Sequence, residues 1–112
     1  MTGDPKSTNI MAEPLRLKEL VAYQSGAVVS RTLIDEDHGT VTVFAFDESQ
    51  GLSEHRAPFN ALLIVIDGEM EVAISGKHFN LVEGQMIIMP ANEPHALKAT
   101  MRSKIILVMI RT

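Results

Sequence analysis

The chain has 112 residues, of which 46% are hydrophobic and 21% are charged, and it carries a formal net charge of −4. This length fits one domain and the apolar content suffices for a hydrophobic core, which excludes a disordered chain, while the lack of cysteine excludes disulfides and thiolate-bound metals. The negative charge, without a cluster of Lys and Arg, predicts no nucleic-acid partner, and the lack of an apolar run of roughly 20 residues predicts no membrane partner.

The N-terminal residues are polar and contain prolines, so we expect residues 1–14 to form a flexible tail and residues 15–112 to form a single domain. The polar start also lacks the apolar segment of a secretory signal, which favours a cytoplasmic location. After the tail we expect a short edge strand over residues 15–17 and one helical turn over residues 18–23.

From residue 27 onward, short apolar segments alternate with turns rich in Gly and Asp, a pattern typical of all-β barrels and sandwiches. The predicted strands cover residues 27–34, 40–46, 52–56, 61–66, 69–75, 77–82, 84–89, 94–100 and 104–111. The pair Asp67-Gly68 predicts a tight hairpin between the fourth and fifth strands, because Gly accepts a positive φ. Ser75-Gly76 predicts the next turn.

Some of these strands differ in how much of their surface is apolar. Residues 61–66, 86–89 and 105–110 are apolar at every position, so a single small barrel would leave one face of each in water. Burying such a face is favourable by about 25 cal/mol per Å², which predicts a homodimer. The alternative is that the outward face packs under the N-terminal segment.

Two histidines lie in segments where Gly and Pro residues precede or follow them at a recognisable spacing. His55 follows Gly51 and precedes a strand that ends before Gly68, and His95 closes a frame that runs from Gly84 through Pro90. The two frames resemble the paired motifs of the cupin superfamily, and the chain is similar to the small single-domain bacterial cupin-2 (RmlC-like) proteins. The resemblance implies an all-β fold, a cupin-type jelly-roll barrel.

In that family three His and one Glu usually hold a divalent metal, and here the motif is degenerate. Anchored on Gly68, the two His positions of the first motif fall on His55 and Ala57, and the Glu position falls on Ala61. The resemblance therefore implies a metal (Fe, Mn, Ni, Cu or Zn) held by His55 and His95 alone. Zinc sites use three or four protein ligands, so a third ligand would have to come from Asn60, Glu54 or Gln50.

We weigh two functional hypotheses. In the first, the barrel binds a small, mostly apolar molecule without a complete metal site, through residues His55, His95, Phe59, Asn60, Leu63 and Leu97. Phe44 or Phe46, and Met86 or Met89, would complete the lining, and parity does not say which of each pair faces inward.

The second hypothesis is a metal-dependent enzyme, oxygenase- or isomerase-like, with His55 and His95 as metal ligands or catalytic residues. Neutral imidazole suits proton transfer near pH 7. Whether the protein is an enzyme at all stays open at this point. A third reading is that both histidines are buried polar residues satisfied by each other or by the backbone. His38, in a charged turn, and His78, on a strand face expected to be wet, have no predicted role.

Overall fold

The computed structural model of the chain describes residues 10–111. Most of the predicted tail, residues 1–14, lies outside this range, so the division into tail and domain stays a prediction. The predicted edge strand over residues 15–17 is wrong, because this segment contains no strand and leads into a 3-10 helix, Leu17–Glu19. No helix in the described part of the chain is long and apolar enough to cross a membrane.

Nine strands make up nearly all of the regular structure of residues 10–111, which confirms the all-β prediction. They are β1 Val28–Glu36, β2 Gly39–Phe46, β3 Gly51–His55, β4 Asn60–Asp67, β5 Glu69–Ile74, β6 Lys77–Val82, β7 Met86–Met89, β8 His95–Ala99 and β9 Ser103–Ile110. Their bounds agree with the predicted strands to within about two residues at each end, the scatter that assignment of element ends carries anyway.

The strands form two antiparallel sheets, of order β1-β2-β9-β4-β7 and β3-β8-β5-β6. The inner faces of both sheets share one core, because side chains alternate between the two faces of a strand. Its largest fully buried side chains include Phe46, Leu63, Met70, Met89 and Ile105. This arrangement is a jelly-roll barrel, as the resemblance implied.

The predicted hairpin at Asp67-Gly68 is wrong, because β4 and β5 belong to different sheets. The chain crosses from one sheet to the other at Gly68. This residue has φ +78°, and a Cβ placed on it would lie 2.2 Å from the carbonyl oxygen of Arg102. Both the backbone conformation and the close approach therefore require glycine. The turn at Ser75-Gly76 is confirmed, since β5 and β6 pair directly across it.

A second apolar cluster lies on the outer face of the five-stranded sheet. Val43 and Ala45 of β2 and Ile106 of β9 are buried there against Val21 of the N-terminal segment. Tyr23 fastens this segment by donating a hydrogen bond to a carboxylate oxygen of Asp67 at 2.6 Å. The predicted alternative, in which the outward face packs under the N-terminal segment, therefore holds for this part of the sheet.

Other parts of that outer face are exposed. Strand pairing aligns five apolar residues in one row across the whole sheet, in the order Ile34, Val41, Val108, Leu62 and Ile88. The two ends of the row, Ile34 and Ile88, are 51% and 57% exposed. The N-terminal segment thus covers only part of the apolar surface, and the homodimer stays a prediction.

Candidate functional site

The two motif histidines meet at one end of the barrel. His55 is the last residue of β3, His95 is the first residue of β8, and the two are directly paired in the antiparallel register. Paired residues point to the same face of a sheet. The ring centroids lie 4.4 Å apart with the rings edge to face at 71°. His95 is only 5% exposed, whereas His55 is open to solvent.

Backbone carbonyls fix which ring nitrogen carries the proton. Nδ1 of His55 lies 2.8 Å from the carbonyl oxygen of Ser53, and Nδ1 of His95 lies 3.3 Å from that of Glu93. A carbonyl oxygen only accepts hydrogen bonds, so each Nδ1 must be the donor. In the neutral rings both Nε2 atoms are then left as lone-pair acceptors. The site therefore offers two acceptor nitrogens on neighbouring rings.

Burial keeps one of these rings neutral. The pKa of His95 is lowered from its ordinary value, first because burial disfavours the charged ring, and second because His55 repels a charge beside it; the hydrogen bond to the Glu93 carbonyl acts weakly in the opposite direction. The lowered pKa favours the neutral form of His95, whose Nε2 can accept a proton or a hydrogen bond.

Two short loops, residues 56–59 and 90–94, connect the histidine strands to the five-stranded sheet. The backbone N–H of Asn92 donates to the carbonyl of Ala57 at 2.7 Å, which ties the loops together. Asn60 adds a second tie, because its Oδ1 accepts a hydrogen bond from the N–H of Ala91 at 2.9 Å. Phe59 lies beneath the guanidinium of Arg111, 5.7 Å from its ring centroid. Asn60 and Phe59 thus shape the mouth of the barrel.

The residues present do not fit a tightly held metal. Among residues 10–111 there is no group of three or more His, Asp or Glu side chains placed to hold a metal ion. The oxygen of Asn60 already accepts a backbone hydrogen bond, and Ala57 and Ala61 have no ligand atoms. Two imidazoles supply at most half of the four ligands of a structural zinc site.

The barrel core begins directly below the mouth. Leu63 and Leu97, two of the predicted binding residues, are 0% and 4% exposed and belong to the packed core. The sequence had left open whether Met86 or Met89 faces the inside of the barrel. In the structure Met89 faces inward, whereas Met86 is 49% exposed on the outer face. Phe46 is fully buried, and Phe44 stacks on it with ring centroids 5.7 Å apart.

Thr40 is a polar residue of this end of the barrel that the sequence did not single out. It lies on β2 opposite Met109, which in turn lies opposite Ala61, and Ala61 lies opposite Met89. All four share the inner face, and Thr40 is 8% exposed. No local pattern reveals this position, because it depends on the pairing of strands that are distant in sequence.

Other clefts of the molecule lie away from the histidines. One of about 650 Å³ runs between Leu15 and Leu17 of the N-terminal segment and Ile64 and Ile66 of β4. Another of about 600 Å³ lies around Tyr23 at the far end of β4. Neither is lined by a histidine of the pair, so the chemistry of the site and the larger clefts of the surface do not coincide.

The chain is similar to known proteins in sequence and in structure. The sequence model of the cupin domain family matches residues 42–111. A structure of a conserved protein of unknown function from Streptococcus pyogenes is 33% identical, with a TM-score of 0.87 over 90% of this chain and 89% of that one. A cupin superfamily protein from Desulfitobacterium hafniense shares the fold at 23% identity, with a TM-score of 0.86 over 90% of this chain and 93% of that one.

A cupin 2 conserved barrel domain protein from Leptotrichia buccalis is 35% identical, with a TM-score of 0.84. The match covers 87% of this chain but only 47% of that protein, so the chain spans about half of its length. A search of curated proteins found no match.

Proposed function

Because this chain belongs to the cupin domain family, we propose that it uses the mouth of the barrel to bind a small, mostly apolar molecule, with His55 and His95 as the polar contacts. Membership of the family supports a site at the mouth of the barrel, and the residues of this chain suggest its chemistry. The proposal needs no tightly held metal, in keeping with the two alanines at the other ligand positions of the motif.

One observation carries this proposal: the two adjacent imidazoles both have Nδ1 occupied by a carbonyl, so that both Nε2 atoms are acceptors. Two neighbouring acceptors cannot satisfy each other, so each needs a donor from water or from a ligand. A ligand with an O–H or N–H group would supply that donor. The apolar part of the ligand would lie against Ala61 and Met89.

A metal-dependent enzyme, oxygenase- or isomerase-like, is the second candidate. The observation that favours it is the same tautomer, since a metal-binding histidine commonly donates its other ring N–H to a carbonyl. Fe, Mn, Ni, Cu or Zn could then be held only with water or a substrate group in most of the coordination shell. The ligand hypothesis ranks first because it requires no missing side chain.

We also propose a second copy of this chain as the partner of the open apolar row on the five-stranded sheet. Apolar side chains at Ile34 and Ile88 that are about half exposed gain hydrophobic free energy when a second copy covers them.

The test combines metal analysis with a ligand titration. Protein purified without chelator is analysed for metals before and after incubation with each of the five ions, and the imidazole signals of His55 and His95 are then followed by NMR during titration with a panel of small phenols and alcohols. We expect substoichiometric metal and saturable shifts with at least one phenol.

Variants identify the site. His95→Ala should abolish the shifts, whereas His78→Ala, at an exposed histidine paired with Glu71 on the outer face, should leave them unchanged. One firmly bound metal per chain, lost in both His55→Ala and His95→Ala, would instead establish the second candidate.

A further inference from the structure

We propose that Thr40 is a third polar contact of the same site, besides His55 and His95. The ligand is then a molecule with two polar groups separated by an apolar body, one for the histidine pair and one for Thr40. The inference rests on the proposed function and extends it from one end of the ligand to the other. It names a residue that lies outside both family motifs.

The hydroxyl of Thr40 is an orphan, meaning that it has no hydrogen-bond partner within the described structure. Thr40 is 8% exposed. Among residues 10–111, its Oγ1 is the one buried side-chain oxygen or nitrogen without a hydrogen-bond partner. Thr42, two residues along the same strand, shows the contrast, since its hydroxyl lies 3.4 Å from that of Thr32. Buried polar groups in folded proteins are nearly always satisfied, so an orphan hydroxyl marks a place where a partner is expected.

Thr40 lies at the same end of the barrel as the histidines. Residues 56–59 and 90–94 lead from His55 to the start of β4 and from Met89 to His95, so the row that contains Ala61 and Met89 faces the imidazole end of the other sheet. Thr40 occupies this row two strands away from Ala61, a lateral distance of about 10 Å. Facing sheets are also about 10 Å apart, and Ala61 and Met89 are packed in the core between them, so a ligand that reaches from the imidazoles to the Thr40 hydroxyl must displace side chains of this row.

The side chains between the two polar ends are adaptable. Met109 lies between Thr40 and Ala61 on the row, and Met89 lies beyond Ala61. Methionine is unbranched and repacks easily, and the alanine between the two methionines has the smallest side chain that still projects inward. This stretch of wall can therefore reshape around an apolar ring without displacing the backbone.

The ligand class follows from these groups. One end carries an O–H or N–H that donates to an imidazole Nε2, the middle is an aromatic or alicyclic body, and the other end carries a hydroxyl, carbonyl or amine that pairs with the Thr40 hydroxyl. A hydroxyl both donates and accepts, so Thr40 selects for a polar group there without fixing its type.

The first experiment measures this selection with two probes of nearly equal size. Binding of 4-(hydroxymethyl)phenol and 4-methylphenol is compared by NMR titration in the wild type, in Thr40→Val, which keeps the shape and removes the hydroxyl, and in Thr42→Val as the matched control. We expect the wild type and Thr42→Val to prefer the diol about tenfold, the usual weight of one hydrogen bond. Thr40→Val should bind the two probes equally.

Two outcomes of this titration count against the inference in different ways. Equal binding of both probes by the wild type, with both weakened in His95→Ala, overturns the role of Thr40 and leaves the proposed function standing. No shift of the imidazole signals with either probe removes the proposed function, and the inference falls with it.

The second experiment needs no ligand. If the hydroxyl is an orphan in the free protein, Thr40→Val removes an unfavourable group and should raise the melting temperature by about 4 °C or more. Thr42→Val should lower it or leave it unchanged. A lower melting temperature for Thr40→Val would show that the hydroxyl is already bonded in the free protein, for example by a buried water, and would overturn the inference whatever the titration shows.

Discussion

Replacing Gly68 with alanine tests how the chain passes from one sheet to the other. Two costs combine at this residue: φ is +78°, and the added Cβ would lie 2.2 Å from the carbonyl oxygen of Arg102. A left-handed conformation at a non-glycine residue costs about 1–3 kcal/mol, and relieving a backbone overlap costs roughly another 1–3 kcal/mol. We expect Gly68→Ala to lower the free energy of unfolding by about 2–6 kcal/mol.

Two other glycines separate these contributions. Gly76 has φ +81° and nothing within 4 Å of an added Cβ, so Gly76→Ala carries the conformational cost alone. At Gly51 an added Cβ would lie 2.0 Å from the carbonyl oxygen of Leu97 without a positive φ, so Gly51→Ala carries the overlap alone. Urea denaturation of the three variants gives the free energies. If Gly68→Ala is no less stable than Gly76→Ala, the crossing does not depend on the close approach and the reasoning is wrong.

Three further predictions concern the surface, the metal motif and acid stability. Ile88→Glu should convert a dimer into a monomer in light scattering after size exclusion, because it places a charge at the end of the apolar row; a wild type that is already monomeric would remove the proposed partner. The double variant Ala57→His with Ala61→Glu restores the missing ligand types and should bind about one zinc per chain by calorimetry, whereas the wild type should not. Hydrogen bonds, first of all from the N–H of Gly26, lower the pKa of Asp47 to about 2 from 3.8. This group stabilises the fold above pH 4 and loses that effect as pH falls through 2, so Asp47→Asn should be less stable than the wild type in denaturation at pH 6, with the difference fading near pH 2.

Local patterns predicted most of the strands, because alternation of apolar residues and turn residues is a property of short segments. The hairpin at Asp67-Gly68 failed for the same reason. Its turn residues are right for a tight turn, but nothing local says that β4 pairs with β9 and β7 while β5 pairs with β6 and β8. The short strand expected over residues 15–17 was wrong because this segment pairs with none of the nine strands. Leu15 and Leu17 are each 45% exposed and line a cleft beside β4.

The candidate site, like the fold, could be predicted from the sequence only in part. The resemblance to the cupin motifs implied that His55 and His95 lie together, and the structure pairs them directly. The sequence could not give their common tautomer, which depends on the carbonyls of Ser53 and Glu93. The buried position of Thr40 could not be predicted from the sequence, because a threonine near a turn resembles any other strand residue until β9 is known to lie beside it.

The position of β9 has a consequence for how the protein is made. This strand, Ser103–Ile110, is the last of the nine to be synthesised, yet it lies at the centre of the five-stranded sheet between β2 and β4. Until it leaves the ribosome, the edges of β2 and β4 that pair with it have no neighbour, and neither the inner nor the outer cluster can close. We therefore expect the domain to fold only after residue 110 has emerged, and a nascent chain paused a few residues earlier to present exposed strands to chaperones.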